Sequence, residues 1–401
     1  MKLRHVLLGS IVVVTGCQEK LTSPAECPAL CPGGQPQVID EVLSPIANAD
    51  SSFSGYVEPP AAAALLASNG LRGFEERAVM RFPPRSDSVS VRDTLRAYTI
   101  DSIALGFTII ARDTTLTGLQ LQIYRLPPLI DSTTTYVQLD PAFVPENLIT
   151  TVPVPDTVKR GPVRALLQGA DLARIAIPPS DSGVLSLGIR VDAATVTGVR
   201  LGAAAAGNGG VFLTYATLDI PDTGTAKLRS FPLTATFNSS LAAVPTVVDS
   251  TLLVVGGAPA SRALIRFELP PRIRDSATVV RATLELTPVA PITGLPTDPV
   301  RLRARAVLAD LGAKSPVDSR VVAADTLEPG TSGTVGIEVV RLMQGLWLGS
   351  SGPTALVLSL APELESASFS QPVFYSTRAA DPAVRPRLRV SYLLSFPFEN
   401  P

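Results

Sequence analysis

The residues that could do chemistry in this chain are few, and the commonest catalytic type is almost missing. A single histidine, His5, lies within the first seventeen residues. If that stretch is removed, no imidazole is left. A Ser-His-Asp triad, a Cys–His pair, His-ligated zinc and a His general base are then all excluded. The three cysteines are Cys17, Cys27 and Cys31. The run Cys27-Pro28-Ala29-Leu30-Cys31-Pro32-Gly33-Gly34 holds a close pair ahead of a turn. A metal site there would need further ligands, and no other cysteine or histidine is at hand. In an exported protein the pair reads as a small disulfide loop. The 35 Asp and Glu select no pair for glycoside hydrolysis. No Asp-x-Asp-x-Asp-Gly run supports calcium, so no cofactor is expected. Glu75-Glu76 and Glu363-x-Glu365 read as isolated, solvated acids, and Asn208-Gly209-Gly210, lacking Gly-Lys-Ser/Thr, reads as a flexible loop.

Arginine is the chemistry the chain does have in quantity. Lysine occurs only at 2, 20, 159, 227 and 314, and every other cationic residue is Arg. Guanidinium grips carboxylate bidentately. Strict alternation in three segments sets Arg262 and Arg266, then Arg301, Arg303 and Arg305, then Arg387 and Arg389, on outward faces. Were those strands neighbours, one sheet face would be an arginine field suited to an acidic polysaccharide. Ordinary ion pairs with acids such as Glu268, Glu285 and Asp298 are the competing reading. Trp347, the only Trp, is either a platform for a sugar ring or a core residue. In Leu119–Tyr124 the outward set Gln120, Gln122 and Tyr124 suits a neutral sugar or a solvated edge.

The amino-terminal segment supplies an address. Lys2 and Arg4 precede an apolar run, Val6 to Val14, which is too short to span a bilayer but fits the core of a signal peptide. Val14-Thr15-Gly16-Cys17 resembles the lipobox of bacterial lipoproteins. That resemblance implies cleavage after residue 16, lipidation of Cys17 and a membrane partner reached through the lipid. Gln18, in place of Asp, implies the outer rather than the inner membrane of the cell envelope. Loss of Lys2 and Arg4 takes the formal charge from -1 to about -3, which offers no general pull toward nucleic acid.

The elements that must position these side chains are strands. With 46% hydrophobic residues the chain can build cores, and 37 Pro and 29 Gly favour many short strands over long helices. Two copies of one pattern are visible. Arg77-Ala78-Val79-Met80-Arg81-Phe82 recurs as Arg262-Ala263-Leu264-Ile265-Arg266-Phe267 at an offset of 185. Ile103, Leu105 and Phe107 match Ala282, Leu284 and Leu286 at 179. Val163-Arg164-Ala165-Leu166-Leu167-Gln168-Gly169 matches Val339-Val340-Arg341-Leu342-Met343-Gln344-Gly345 at 176. Val163, Leu166 and Leu167, and likewise Val339, Leu342 and Met343, follow helical spacing, with Gly169 and Gly345 as stops. The expected fold is all-β: two tandem jelly-roll-like sandwiches, each with one short helix. A leader (1–16) and a lipidated tether (17–36) come first. The sandwiches take 37–238 and 239–395, and a tail (396–401) ends the chain.

The second half resembles the DNRLRE-type domain, a jelly-roll-like sandwich grouped with family 96 carbohydrate-binding modules. The resemblance rests on Leu253-x-Val255-Gly256-Gly257, on Arg262 to Pro270 and on Thr278 to Leu286. A helix around Trp347 and the closing Arg385-Pro386-Arg387-Leu388-Arg389-Val390-Ser391-Tyr392 complete it, covering about residues 247–393. The first half joins only through the repeat and has no Trp in the matching place. The resemblance implies sugar binding or a structural role at the cell surface. The expected function is a lipid-anchored, non-catalytic envelope protein that binds carbohydrate or another surface polymer. The alternatives are a purely structural or assembly role and, less favoured, a polysaccharide lyase or hydrolase.

Overall fold

The computed structural model describes residues 38–54, 64–91, 93–175, 183–203, 213–220, 228–243, 249, 251–257, 260–296, 298–361 and 368–394. The leader, the tether with Cys17, Cys27 and Cys31, the Asn208-Gly209-Gly210 loop, Glu363, Glu365 and the 396–401 tail lie outside them.

The described chain is all-β, with layered sheets of sandwich character and a few very short helices. Period-two patterning decides this. In strand Glu75–Phe82, Ala78, Met80 and Phe82 enter one core, while Val79 enters a smaller cluster on the opposite face. In strand Val300–Val307, Leu302, Ala304 and Ala306 are fully buried. Alternate residues on a pleated strand point to opposite faces, so each such strand divides its side chains between two environments.

Two large cores result. The first is enclosed by a curled eleven-stranded sheet. Its 14-residue strand Thr99–Arg112 bends from one neighbour to another, pairing with Leu213–Asp219 along one stretch and Gly198–Ala203 along the next. Gly161–Gln168 takes its other edge. The second core lies between a four-stranded and a five-stranded sheet, and is built by Ile265, Phe267, Leu302, Leu358, Leu284, Leu388 and their neighbours. The two halves touch through Leu66, Ala111, Leu295 and Phe369, and through Arg200, whose guanidinium reaches Asp298 at 2.5 and 2.7 Å. Gly198 lies under the Phe369 ring: a Cβ there would stand 2.7 Å from it.

Strand pairing departs from the expected boundaries at both ends. Ile39–Leu43 pairs with Arg387–Leu394, and Ser51–Ser54 pairs with Ser261–Arg266, so the 39–54 arm belongs to the later half. At the other boundary Phe237–Ala242 runs past residue 238 yet pairs with Glu75–Phe82 of the earlier half, beside Leu228–Thr234, which pairs with Leu213–Asp219 within that half as expected. The two arms are equivalent. Phe53 faces Arg262 and Ser52 faces Ala263, just as Leu241 faces Arg77 and Ser240 faces Ala78. Each half is thus closed by the pair of strands that precedes the other. Buried Asp50 pins the first arm, accepting hydrogen bonds from the Thr377 amide and hydroxyl at 2.8 Å each and from Arg378 at 3.1 Å.

The helix expected at Val163–Leu167 is a strand. Gly161–Gln168 pairs along its whole length with Ser102–Ile109, Ala165 and Leu167 are buried, and Leu166 is exposed. Three residues at helical spacing do not outweigh eight residues of ladder. The helix follows instead, at Ala170–Arg174, and Gly169 (φ 56°) opens it rather than ending it. In the later half the helical turn starts where expected, Val340–Leu342 continuing into a wider turn, Met343–Trp347, but Gly345, expected as its stop, lies inside that turn.

The ladders also correct the alignment of the repeat. Ala165 pairs with Leu105 and Ile337 with Leu284, while Val163 pairs with Phe107 and Val335 with Leu286. The equivalent positions therefore lie 172 residues apart, not 176. On that spacing Ile175 stands where Trp347 stands.

Candidate functional site

The arginines do not all gather on one face: five share the outer face of one sheet and two lie on another sheet. Arg262, Arg266, Arg301, Arg303 and Arg305 belong to the five-stranded sheet, where Ala355–Leu360 separates their two strands. Arg387 and Arg389 belong to the four-stranded sheet across the core. Most are already engaged. Arg266 holds Asp310 through two bonds of 2.5 and 2.7 Å and also donates to the Ala49 carbonyl. The paired Asp310 carboxyl titrates below the usual range, because the Arg266 hydrogen bond outweighs the opposing effect of burial. Arg389 donates to Glu285 at 3.0 Å and Arg387 lies 3.5 Å from the same carboxylate. Arg262 and Arg305 are buried, and with half-buried Arg303 they are held by neighbours. Arg301 is exposed.

The aromatic platforms are interior. Trp347 is 1% exposed, its ring centre 6.2 Å from that of Phe267. Tyr124 does not face outward to solvent. It packs 5.1 Å from Phe143 and donates to Gln122 at 2.7 Å. The segment 130–143 lies over this side of the sheet, and Gly188 lets it come close: a Cβ there would stand 2.5 Å from the Phe143 ring.

The adjacent acids Glu75 and Glu76 are not solvated. Glu76 is fully buried, 2.5 Å from Arg72 and 3.0 Å from the Ser68 hydroxyl, and burial raises its carboxyl above the usual range against the pull of Arg72. Glu75 accepts from Arg77 twice at 2.9 Å, from Arg190 at 2.8 Å and from the Tyr136 hydroxyl at 2.9 Å. Burial opposes ionisation there, yet these partners hold the carboxyl below its usual value. Arg77 is enclosed by the Tyr136 and Phe143 rings, with its carbon centre 4.5 and 4.2 Å from theirs. This set of donors and acceptors fastens the 130–143 segment over the strand.

Among the described residues no group of three His, Cys, Asp or Glu could hold a metal ion. No helix among them is long and apolar enough to cross a membrane.

An open cavity of about 530 Å3 lies at one end of the earlier core. Its apolar wall includes Phe82, Ile100, Ile103, Leu172, Ile175 and Leu185. Arg85, Asp87, Tyr98, Thr99 and Thr214 add polar groups. Half-buried Arg85 donates to the Phe231 carbonyl at 3.0 Å and to the Thr214 carbonyl and hydroxyl at 3.3 and 3.0 Å. These bonds leave at least two of its five N–H groups free, and no carboxylate pairs with it among the described residues. Burial lowers its proton affinity. Tyr98 donates to the Ser86 carbonyl, and Asp87 is exposed on the rim. Sequence reading missed this place because nothing local marks it. The only available signal was the absence of a Trp from the earlier copy of the repeat.

No protein-family model matches the chain, and no curated protein does.

Proposed function

We propose that this chain is a lipid-anchored protein of the bacterial cell envelope, held through Cys17 at the outer membrane, with a structural or assembly role and no catalysis of its own. On this reading its halves are tandem jelly-roll-like sandwiches of DNRLRE type that the tether displays above the bilayer. The leader motif Val14-Thr15-Gly16-Cys17 supports the anchor. The observation favouring a structural role over sugar binding is the fate of the arginines: they sit in two separate sheets, and Arg266, Arg387 and Arg389 are already matched to Asp310 and Glu285. A guanidinium committed to a carboxylate of its own chain must give that up to hold another, which removes most of the gain. Trp347 and Tyr124 cannot reach a sugar ring without leaving their cores.

Two measurements test the proposal. Cys17→Ser is expected to move the protein from the membrane to the soluble fraction of cells, and retention in the membrane would sink the anchor. The full chain is expected to bind none of a panel of acidic and neutral glycans. Saturable binding of a uronate polymer that disappears in Arg301→Ala would overturn the structural reading in favour of a carbohydrate-binding one.

A further inference from the structure

The two halves treat one end of their cores differently. In the later half Trp347 lies against Phe267 and fills the space beneath the helical turn. In the earlier half the same two positions carry Ile175 and Phe82, and both line the cavity. Protein interiors pack to crystal-like density with few voids larger than a water molecule. A space of about 530 Å3 falls in the range of small-ligand pockets, which are mostly apolar with a few placed polar groups. Arg85 is the one cationic group on its wall; its hydrogen bonds run only to carbonyl and hydroxyl oxygens, and the lining's one carboxylate, Asp87, is exposed at the rim and forms no ion pair with it. A half-buried charge without a counter-ion is costly, and a carboxylate would relieve it.

We propose that this cavity binds a small monoanionic amphiphile, its apolar body against Phe82, Ile103, Leu172 and Ile175 and its carboxylate on Arg85. The reading is independent of the anchor and of the arginines in the later half. Specificity is twofold: the wall rejects strongly polar ligands, and Arg85 separates a carboxylate from an alcohol of equal length.

The test titrates the full chain with 1-anilinonaphthalene-8-sulfonate and displaces the dye with decanoate or decanol. Saturable dye binding is expected, with decanoate displacing it at about tenfold lower concentration than decanol, one charge-assisted hydrogen bond's worth. Arg85→Gln is expected to abolish that preference while decanol still competes. Ile175→Trp, which copies the later half, is expected to weaken dye binding at least about tenfold. Unchanged binding in a folded Ile175→Trp, or equal displacement by the two competitors in the unaltered chain, would overturn the proposal. Should Ile175→Trp fail to fold, hydrogen exchange on the unaltered chain decides. Decanoate is expected to slow exchange across Thr99–Ile103, and no slowing there would be equally fatal.

Discussion

The two halves share strand pairings and a helical turn, yet one is sealed where the other is hollow. At Trp347 the later half places a large aromatic across the end of its core, next to Phe267. At Ile175 the earlier half places a side chain too small to do so, and a cavity remains beside Phe82. A common frame therefore allows one end to serve as a plug or as a pocket, and a single position decides between them. The outer faces of the repeated strand differ as well. Arg77, within two rings and two carboxylates, Glu75 and Asp140, and its equivalent Arg262 are both buried, but Arg81 donates to the Ile130 carbonyl of the covering segment at 2.8 Å, whereas its equivalent faces a carboxylate. Arg266 holds a half-exposed Asp310. Position along a strand determines which face a residue takes, and the loop that folds over that face determines what the residue does.

The largest effect is expected at the plug. Trp347→Ala should cost about 3–5 kcal/mol, and Ile175→Ala about 2, because the space around Ile175 is already partly empty. Urea melts of both variants check this, and a greater loss at Ile175 would undo the contrast. Next in size is the charged pair of faces. Arg77→Ala should cost about 2 kcal/mol, since Glu75 loses two hydrogen bonds and keeps only Arg190 and the Tyr136 hydroxyl, while Arg266→Ala should cost about 1, as more exposed pairs do. Equal losses in thermal melts would show that the cover over Arg77 adds nothing. A gain of about 1 kcal/mol is expected for Ile175→Trp if the earlier half accepts the plug of the later one. A loss would mean the two ends differ in shape as well as in residue.

The smallest effect is a titration. Burial, and then the hydrogen bond to Glu75, push the Tyr136 phenol from 10.0 up to about 12. The folded chain thus keeps this proton where the unfolded chain has begun to lose its own. The stabilisation from this group is complete below pH 10 and is lost as pH rises toward 12. Ultraviolet titration, with Tyr136→Phe to isolate the signal, should place the phenol near 12, and Glu75→Gln should bring it down. A phenol titrating near 10 in the unaltered chain would contradict the closed network.

Strands were the most legible part of the sequence. The alternation expected around Arg301, Arg303 and Arg305 is a strand, Val300–Val307, and that of Leu388, Val390 and Tyr392 against Arg387 and Arg389 is realised. Alternation records faces, however, and says nothing of what lies upon them. Glu75 was read as solvated and Tyr124 as outward because the covering segment 130–143 is remote from them in sequence and carries no mark of its destination. The helical turn around Leu342 was legible because Val339, Leu342, Met343 and Trp347 supply a full apolar face. Val163–Leu167 misled because a short apolar run satisfies a strand and a helix alike. The four-residue slip in the repeat arose from the same run. The exchange of closing strands left no local trace, since ladder partners are set by shape and backbone rather than by composition.

That exchange bears on how the chain is made. Ile39–Leu43 leaves the ribosome long before its partner Arg387–Leu394, with Glu41 and Tyr392 separated by 351 positions. Closing so long a loop adds only modestly to the entropy cost, because that cost grows logarithmically with length, but it delays the contact. The earlier half, whose closing strands Leu228–Thr234 and Phe237–Ala242 follow directly, can finish while the arm still waits. Throughout synthesis the arm is an unpaired β-edge, the kind of segment that a neighbouring nascent copy can capture. Maturation of this protein is therefore a race between a late strand of its own and an early strand of another.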